Sequence, residues 1–141
     1  MGNFSDIIIA DVHEGEKIGE AETPSEKWPT LEARNLDSIT LSTLYCSITN
    51  KKYSNEIQSS FQLAGGDQYE GPWVFLIPEL VMNSYAELDT SKIKEIAQVW
   101  VATDEMQLWE LPEAMELIAQ LKEHACKAKE ARKAMFLWYM L

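Results

Sequence analysis

The chain has 141 residues, which is the length of one ordinary domain and is enough to form a core without disulfide bonds. Of these residues 46% are hydrophobic, which excludes a disordered chain. Twelve Lys and Arg against 23 Asp and Glu give a net charge of -11, a field that repels a phosphate backbone. We therefore expect a single globular domain over residues 1–141 that does not bind nucleic acid directly.

The amino terminus and the cysteines indicate the compartment. The opening MGNFSDIIIADV has no cationic segment before its short apolar run, so it lacks the pattern of a secretory signal. Cys46 and Cys126 lie far apart, without the paired spacing of a metal or redox motif, and are expected to be free thiols. The apolar run at the C-terminus is too short to cross a bilayer. The sequence therefore predicts a cytoplasmic protein without a membrane partner.

The first elements are a strand and an acidic connection. Three consecutive isoleucines are typical of a short buried strand near 6–10. Residues 1–26 carry seven acids and a single lysine, and Pro24 and Pro29 prevent a long helix here. We expect an acidic, exposed connection near 13–35, in which Trp28 folds back onto the domain.

The middle of the chain is predicted to be helical. The apolar residues of SITLSTLYCSIT, 38–49, follow helical better than alternating spacing, and Asp37 or Ser38 can cap the helix. The β-branched residues in this segment favour a strand instead, so a strand remains the alternative. The segment 56–66, EIQSSFQLAGG, fits a short helix or an edge strand, and both interpretations stay open.

A second apolar run begins a strand-helix unit. WVFLI, 73–77, lies between Gly71-Pro72 and Pro78, which predicts a central strand that leads directly into a helix. A further helix follows over 92–106, with a cap near Asp89.

The last thirty residues combine an amphipathic helix with an apolar end. Pro112 suits the first helical turn, and apolar residues recur after it at three- and four-residue spacing. The final MFLWYML, 135–141, predicts a strand beside 73–77, because seven exposed apolar residues would promote aggregation. The alternative is an arm that contacts another subunit.

Together these elements predict an α+β fold. We expect a predominantly helical single domain with four to five helices. The helices cover a small mixed sheet, whose strands lie near 6–10, 73–77 and 135–141.

Five of the twelve cations cluster on the last helix. They are Lys122, Lys127, Lys129, Arg132 and Lys133. Cations near a helix C-terminus complement its dipole, and we prefer this interpretation to a nucleic-acid footprint.

One acidic cluster resembles a set of metal ligands. Asp11, His13, Glu14 and Glu16 carry ligand groups, and alternate residues of an extended chain point to the same side. A metal site needs further ligands from elsewhere, and the only other histidine is His124. We interpret the cluster as an acidic loop and predict no metal and no cofactor.

No catalytic constellation is visible. His124 and Cys126 lie two positions apart on one helix, roughly 200° around its axis, so they cannot act together as base and nucleophile. His124 is predicted to be a boundary histidine with a satisfied hydrogen bond. The chain has no phosphate loop, dinucleotide fingerprint, nucleophile elbow or HExxH motif. The sequence therefore predicts no catalytic residue.

The five tryptophans divide into core and loop residues. Trp73, Trp100 and Trp138 fall in segments expected to be buried. Trp28 and Trp109 lie in acidic loops, where an aromatic side chain ringed by carboxylates suits a basic protein surface, although both could simply cover the core edge. The candidate partner-binding residues are Trp28, Asp104, Glu105, Trp109 and Glu110.

These observations favour a non-enzymatic interaction module that binds a basic protein, of the inhibitor or immunity type. The first alternative is a small enzyme or ligand-binding protein, for which a deep pocket lined by two or more of Asp11, His13 and His124 would count in favour. The second alternative is a DNA mimic that inhibits a nucleic-acid-binding protein, with acids arrayed on one face at phosphate-like spacing.

Overall fold

The computed structural model describes residues 4–66 and 69–141, which form six α-helices and five strands. The helices are α1 (Gly15–Glu20), α2 (Ser38–Thr49), α3 (Asn55–Ser59), α4 (Glu79–Glu87), α5 (Ile93–Val101) and α6 (Leu111–Glu130). The strands are β1 (Phe4–Ala10), β2 (Thr30–Leu31), β3 (Gln62–Gly66), β4 (Trp73–Leu76) and β5 (Ala134–Met140). Short 3₁₀ turns cover Pro24–Glu26, Thr90–Lys92 and Asp104–Met106.

The strands form one antiparallel sheet in the order β2-β1-β5-β4-β3. The last strand of the chain, β5, is the middle strand of the sheet. It pairs with β1 along seven residues and with β4 along four.

The α+β class is confirmed, and the strands predicted near 6–10, 73–77 and 135–141 correspond to β1, β4 and β5. The predicted mixed sheet is corrected to an antiparallel one, because β5 lies between β1 and β4 and runs opposite to both. It is therefore β5, rather than β4, that occupies the centre. The edge strand β2 and the short helix α1 add to the predicted elements, and the described residues form six helices where four to five were predicted.

The two faces of the sheet bury separate clusters, because successive residues of a strand point to opposite sides. Ile7 and Ile9 face the main core, where α2, α4, α5 and α6 pack. Ile8 and Phe136 face a smaller cluster, which α1 covers with Ile18. Helices therefore cover both faces, four on one side and α1 on the other.

Residues 38–49 form α2, so the helix is confirmed against the strand alternative. A capping box starts it: Asp37 Oδ1 accepts the Thr40 N–H, and Thr40 Oγ1 accepts the Asp37 N–H, both at 2.8 Å. Buried donors from other helices also hold it, since Trp100 Nε1 donates to the Thr40 carbonyl at 3.1 Å and the Tyr85 hydroxyl donates to the Leu41 carbonyl at 2.7 Å. These contacts outweigh the weak strand preference of its β-branched residues.

The segment 56–66 contains both elements that its sequence left open, since α3 is followed by the edge strand β3. Helix α1 packs against β3 so closely that a Cβ on Gly19 would lie 2.2 Å from the Gly66 nitrogen. The region near 13–35 therefore contains packed structure, namely α1 and β2, and Trp28 packs against the smaller cluster as predicted.

The turn between α6 and β5 is tight. Arg132 adopts a left-handed conformation with a φ of 57°. The Lys133 N–H donates to the Ala128 carbonyl at 2.9 Å and the Arg132 N–H to the Lys129 carbonyl at 3.0 Å, which is the Schellman pattern. The chain therefore reverses at Arg132 and Lys133, and both lie at one end of the sheet.

We expect that deletion of residues 136–141 abolishes the folded state, because it removes the strand that joins β1 to β4. A milder test is Leu137→Ala, which empties a fully buried site and should cost about 2–5 kcal/mol of a total stability of roughly 5–15 kcal/mol. Urea unfolding followed by tryptophan emission measures both.

The matched control is Leu141→Ala, because Leu141 is 75% exposed and its truncation should change stability by less than about 0.5 kcal/mol. A truncated chain that remains a folded monomer with unchanged far-UV circular dichroism would contradict the structural role of β5.

Candidate functional site

A cleft with a volume of about 920 Å³ lies at one end of the sheet. There β1 ends at Ala10, β4 ends at Leu76 and β5 begins at Ala134, because antiparallel pairing brings these three points together. Buried Ile77 and Met82 give the cleft an apolar lining. We call this the sheet-end cleft.

Charged side chains from three parts of the sequence line the sheet-end cleft. The cations are Lys17, Lys129, Arg132 and Lys133, and the acids are Asp11, Glu14 and Glu79, with His13 beside them. Four of the twelve cations of an acidic chain thus line one cleft.

Several of these charges are already engaged. Glu14 Oε1 accepts the Asp11 N–H at 2.9 Å and its Oε2 accepts from Trp28 Nε1 at 3.3 Å. The backbone hydrogen bond from Asp11 is the main reason why the pKa of Glu14 lies below its usual value. Lys129 Nζ lies 3.3 Å from Glu87 Oε1.

The cations of the cleft differ in whether they form an ion pair. Of the ion pairs between described side chains, one joins Lys129 to Glu87 and the other joins Lys127 to Glu123. The three remaining cations of the cleft therefore have no carboxylate oxygen of a described residue within 4.0 Å.

The acidic cluster does not form a metal site. Asp11, His13 and Glu14 line the sheet-end cleft, whereas Glu16 lies outside it, because the chain turns into α1 after Glu14 and loses the alternation of an extended strand. Within residues 4–66 and 69–141, no three His, Cys, Asp or Glu side chains are placed to hold one ion.

His124 lies in the core rather than in the cleft. Its Nε2 is 2.8 Å from the Ile7 carbonyl oxygen and therefore carries the proton that it donates. Burial lowers the pKa of His124, and the hydrogen bond to Ile7 opposes that shift. The predicted boundary histidine with a satisfied hydrogen bond is confirmed. Of the three residues named for the ligand-binding alternative, the structure brings Asp11 and His13 together in the cleft and leaves His124 apart.

A second surface lies in the connection between α5 and α6, residues 102–110, which we call the Leu108 loop. Its Trp109 is half-buried and stacks on Trp100, with 6.5 Å between the ring centroids. The side chain of the preceding residue, Leu108, is 97% exposed. Trp109 therefore anchors the loop, and Leu108 is the apolar group that it presents to solvent.

Carboxylates line the same groove as the exposed leucine. Asp104, Glu105 and Glu113 line a groove of about 760 Å³ together with Leu108 and Arg34. The Arg34 guanidinium carbon lies 4.9 Å from the centroid of the Phe4 ring, so this cation is held by an aromatic face. The groove thus combines three carboxylates with an exposed apolar side chain.

The candidate partner-binding residues do not form one patch. Asp104, Glu105, Trp109 and Glu110 belong to the Leu108 loop. Trp28 packs with Ile8 and Phe136 against the opposite face of the sheet from the core that Trp109 contacts. The two loop tryptophans therefore lie on opposite sides of the sheet.

The three tryptophans predicted to be buried differ from one another. Trp100 is fully buried, whereas Trp73 and Trp138 are half-buried, and Trp138 packs against the smaller cluster on the other face of the sheet.

Sequence reasoning missed Leu108 and the convergence of Lys17 with Arg132 and Lys133. A single leucine beside a tryptophan carries no signal of exposure. The cations of α6 were visible as a cluster, but only the antiparallel sheet brings Lys17 beside them.

Compared with protein-family models, curated proteins and solved structures, the chain shows no significant match to any of them. Among the helices of the described residues, none combines the length and the hydrophobicity that a membrane crossing requires.

Chelation should leave the thermal midpoint unchanged, because the ligand-type residues at Asp11 to Glu16 do not converge on one point. Differential scanning fluorimetry with and without EDTA measures this. A fall of several degrees that one particular divalent ion restores would contradict the interpretation as an acidic loop.

His124 should make the protein less stable in mild acid. Because its pKa is lower in the folded than in the unfolded chain, the unfolded state binds more protons below about pH 6.5, and stability is lost as the pH falls from there. Urea midpoints at about pH 7.5 and 5.5 should differ less for His124→Gln than for the wild type. The exposed His13→Gln is the control and should behave as wild type; equal pH dependence in all three proteins would contradict this role of His124.

Proposed function

We propose that this chain is a non-enzymatic interaction module that binds a basic protein surface, in the manner of an inhibitor or immunity protein. The single observation that carries the proposal is Leu108, which is 97% exposed in a groove lined by Asp104, Glu105 and Glu113. An apolar centre with a charged rim is the usual anatomy of a protein interface.

The rigidity of the loop supports the proposal. Trp109 stacks on the buried Trp100, and the Trp109 N–H donates to the Met106 carbonyl at 3.0 Å. Leu108 is therefore held outward by its neighbours, so little conformational entropy would be lost on binding. Met106 itself is fully buried and fixes the preceding turn.

The charge of the chain supports a basic partner. The net charge is -11, and only two ion pairs join described side chains, so most carboxylates are available to an approaching surface. A field of this kind accelerates association with a cationic protein and contributes less to the final affinity.

We place the protein in the cytoplasm. Cys46 and Cys126 are both free thiols, and Cys46 is buried in the main core. Unpaired thiols are the usual state in a reducing compartment.

A second candidate function is the binding of a small ligand in the sheet-end cleft. The observation that favours it is that Asp11 and His13 both line this cleft. Its volume of about 920 Å³ lies within the range of natural ligand sites.

Leu108→Ala should weaken capture of the natural partner about fivefold or more, because it removes the apolar centre of the interface. The immobilised wild-type chain is used to capture and identify a basic partner from cell lysate, and the affinity of that partner is then measured by surface plasmon resonance. The control is Leu80→Ala, which removes a leucine that is 59% exposed on α4. Equal affinity of the two variants for the partner would contradict the proposal.

The association rate should fall steeply as salt rises and the Debye length shortens to about 8 Å or less. Asp104→Asn combined with Glu105→Gln should reduce this rate and its salt dependence. Glu20→Gln combined with Glu22→Gln removes the same net charge elsewhere and should have a smaller effect. A rate that is indifferent to salt would count against a basic partner, and release of a captured protein by added DNA would favour the DNA mimic instead.

A further inference from the structure

We propose that the sheet-end cleft binds a small organic anion, a molecule with one phosphate or carboxylate head and a compact apolar body. The inference rests on the ligand-binding function proposed above as the second candidate. It adds the chemical class of the ligand, which follows from the charges and the lining of the cleft.

The apolar body is matched by the lining. Ile77 and Met82 are buried and border the cleft, and Leu76 at the end of β4 adds a half-buried aliphatic side chain. Ligand sites of this size are mostly apolar and carry a few polar groups that fix orientation. The buried side chains of the cleft therefore provide the hydrophobic part of the site.

The anionic head of the ligand would meet cations that form no ion pair with the protein's own described carboxylates. Lys17, Arg132 and Lys133 come from α1 and from the turn before β5, and none has a described carboxylate oxygen within 4.0 Å. The cleft is richer in bases than the chain as a whole, with four bases against three acids in its lining compared with 12 against 23 overall.

The acids of the cleft offset part of this charge, but none of them forms an ion pair with Lys17, Arg132 or Lys133. Both carboxylate oxygens of Glu14 accept hydrogen bonds from other donors, the Asp11 N–H and Trp28 Nε1. The three cations therefore keep their N–H donors available, and the exposed imidazole of His13 can add one more.

Arg132 occupies a backbone position that usually favours glycine. Arg132 holds a left-handed conformation at the Schellman end of α6, with a φ of 57°. Glycine is the favoured residue at this position, because it has no Cβ to strain. An arginine there keeps a guanidinium at the rim of the cleft at a conformational cost, and a guanidinium binds phosphate and carboxylate in a two-pronged geometry.

Helix α4 adds donors from the other side. It begins at Glu79, on the cleft, and no side chain caps its first turn. The first N–H groups of a helix have no partner within it and attract negative charge. These N–H groups add to the positive potential of the cationic side chains, which make the main contribution.

The test uses three probes with one aromatic ring and different heads: phenyl phosphate, phenylacetate and benzylammonium. Each is titrated to millimolar concentration into the full-length protein, with binding followed by ¹H–¹⁵N NMR. We expect shifts of the amides of Ile77, Glu79, Lys133 and Ala134 and of the His13 ring with one or both anions, and none with the cation.

Two pairs of variants locate the binding. Arg132→Gly should weaken anion binding roughly three- to fivefold while the thermal midpoint stays or rises, since glycine suits the left-handed position. Its control is Asn50→Gly, which relieves a similar conformation, φ 55°, at the end of α2 and should leave binding unchanged. Lys17→Gln should weaken binding, and the exposed Lys94→Gln on α5 should not.

Preferential binding of benzylammonium at these amides would overturn the anionic class and leave ligand binding in place. The absence of shifts with all three probes would overturn both the anionic class and the ligand-binding function. Anion binding that Arg132→Gly and Lys17→Gln leave unchanged would show nonspecific association and would overturn the proposed site.

Discussion

The antiparallel pairing of β5 with both β1 and β4 is the constraint on which the rest of the structure depends. Since β5 is the middle strand of the sheet, β1 and β4 are joined to each other through it. Met135 and Leu137 complete the main core, and Phe136 completes the smaller cluster on the other face. A single strand thereby closes both cores.

The same pairing creates the sheet-end cleft. Because β5 runs opposite to its neighbours, its start lies beside the ends of β1 and β4, and the turn that follows α6 brings Arg132 and Lys133 to that place. Helix α1 brings Lys17 to the same place through its close contact with β3, which the glycines of both elements allow. The cleft is thus a consequence of topology rather than of any local motif.

The two candidate surfaces lie at opposite ends of α6, about 30 Å apart along a helix of twenty residues. The Leu108 loop and its carboxylates precede the N-terminus of α6, and the cationic rim follows its C-terminus. The carboxylates lie at the positive N-terminal end of the α6 dipole and the cations at its negative C-terminal end, so each group is stabilised where it lies. At this distance, substitutions at one surface should not perturb the other.

Elements with a local signal could be predicted from the sequence: the strand of consecutive isoleucines, the strand-helix unit at WVFLI and the amphipathic α6 with its apolar strand. The α+β class and the satisfied hydrogen bond of His124 could also be predicted, whereas the helix over 38–49 was only favoured over a strand. Strand order and direction required the three-dimensional structure, since periodicity shows which face of a strand is buried and not which strand lies beside it. For the same reason, the structure was needed to show that Leu108 is exposed to solvent and that Trp28 and Trp109 lie on opposite sides of the sheet. It was also needed to show that Lys17 lines the same cleft as Arg132 and Lys133. Such convergence depends on contacts between residues far apart in the chain, and a single sequence carries no physical signal of them.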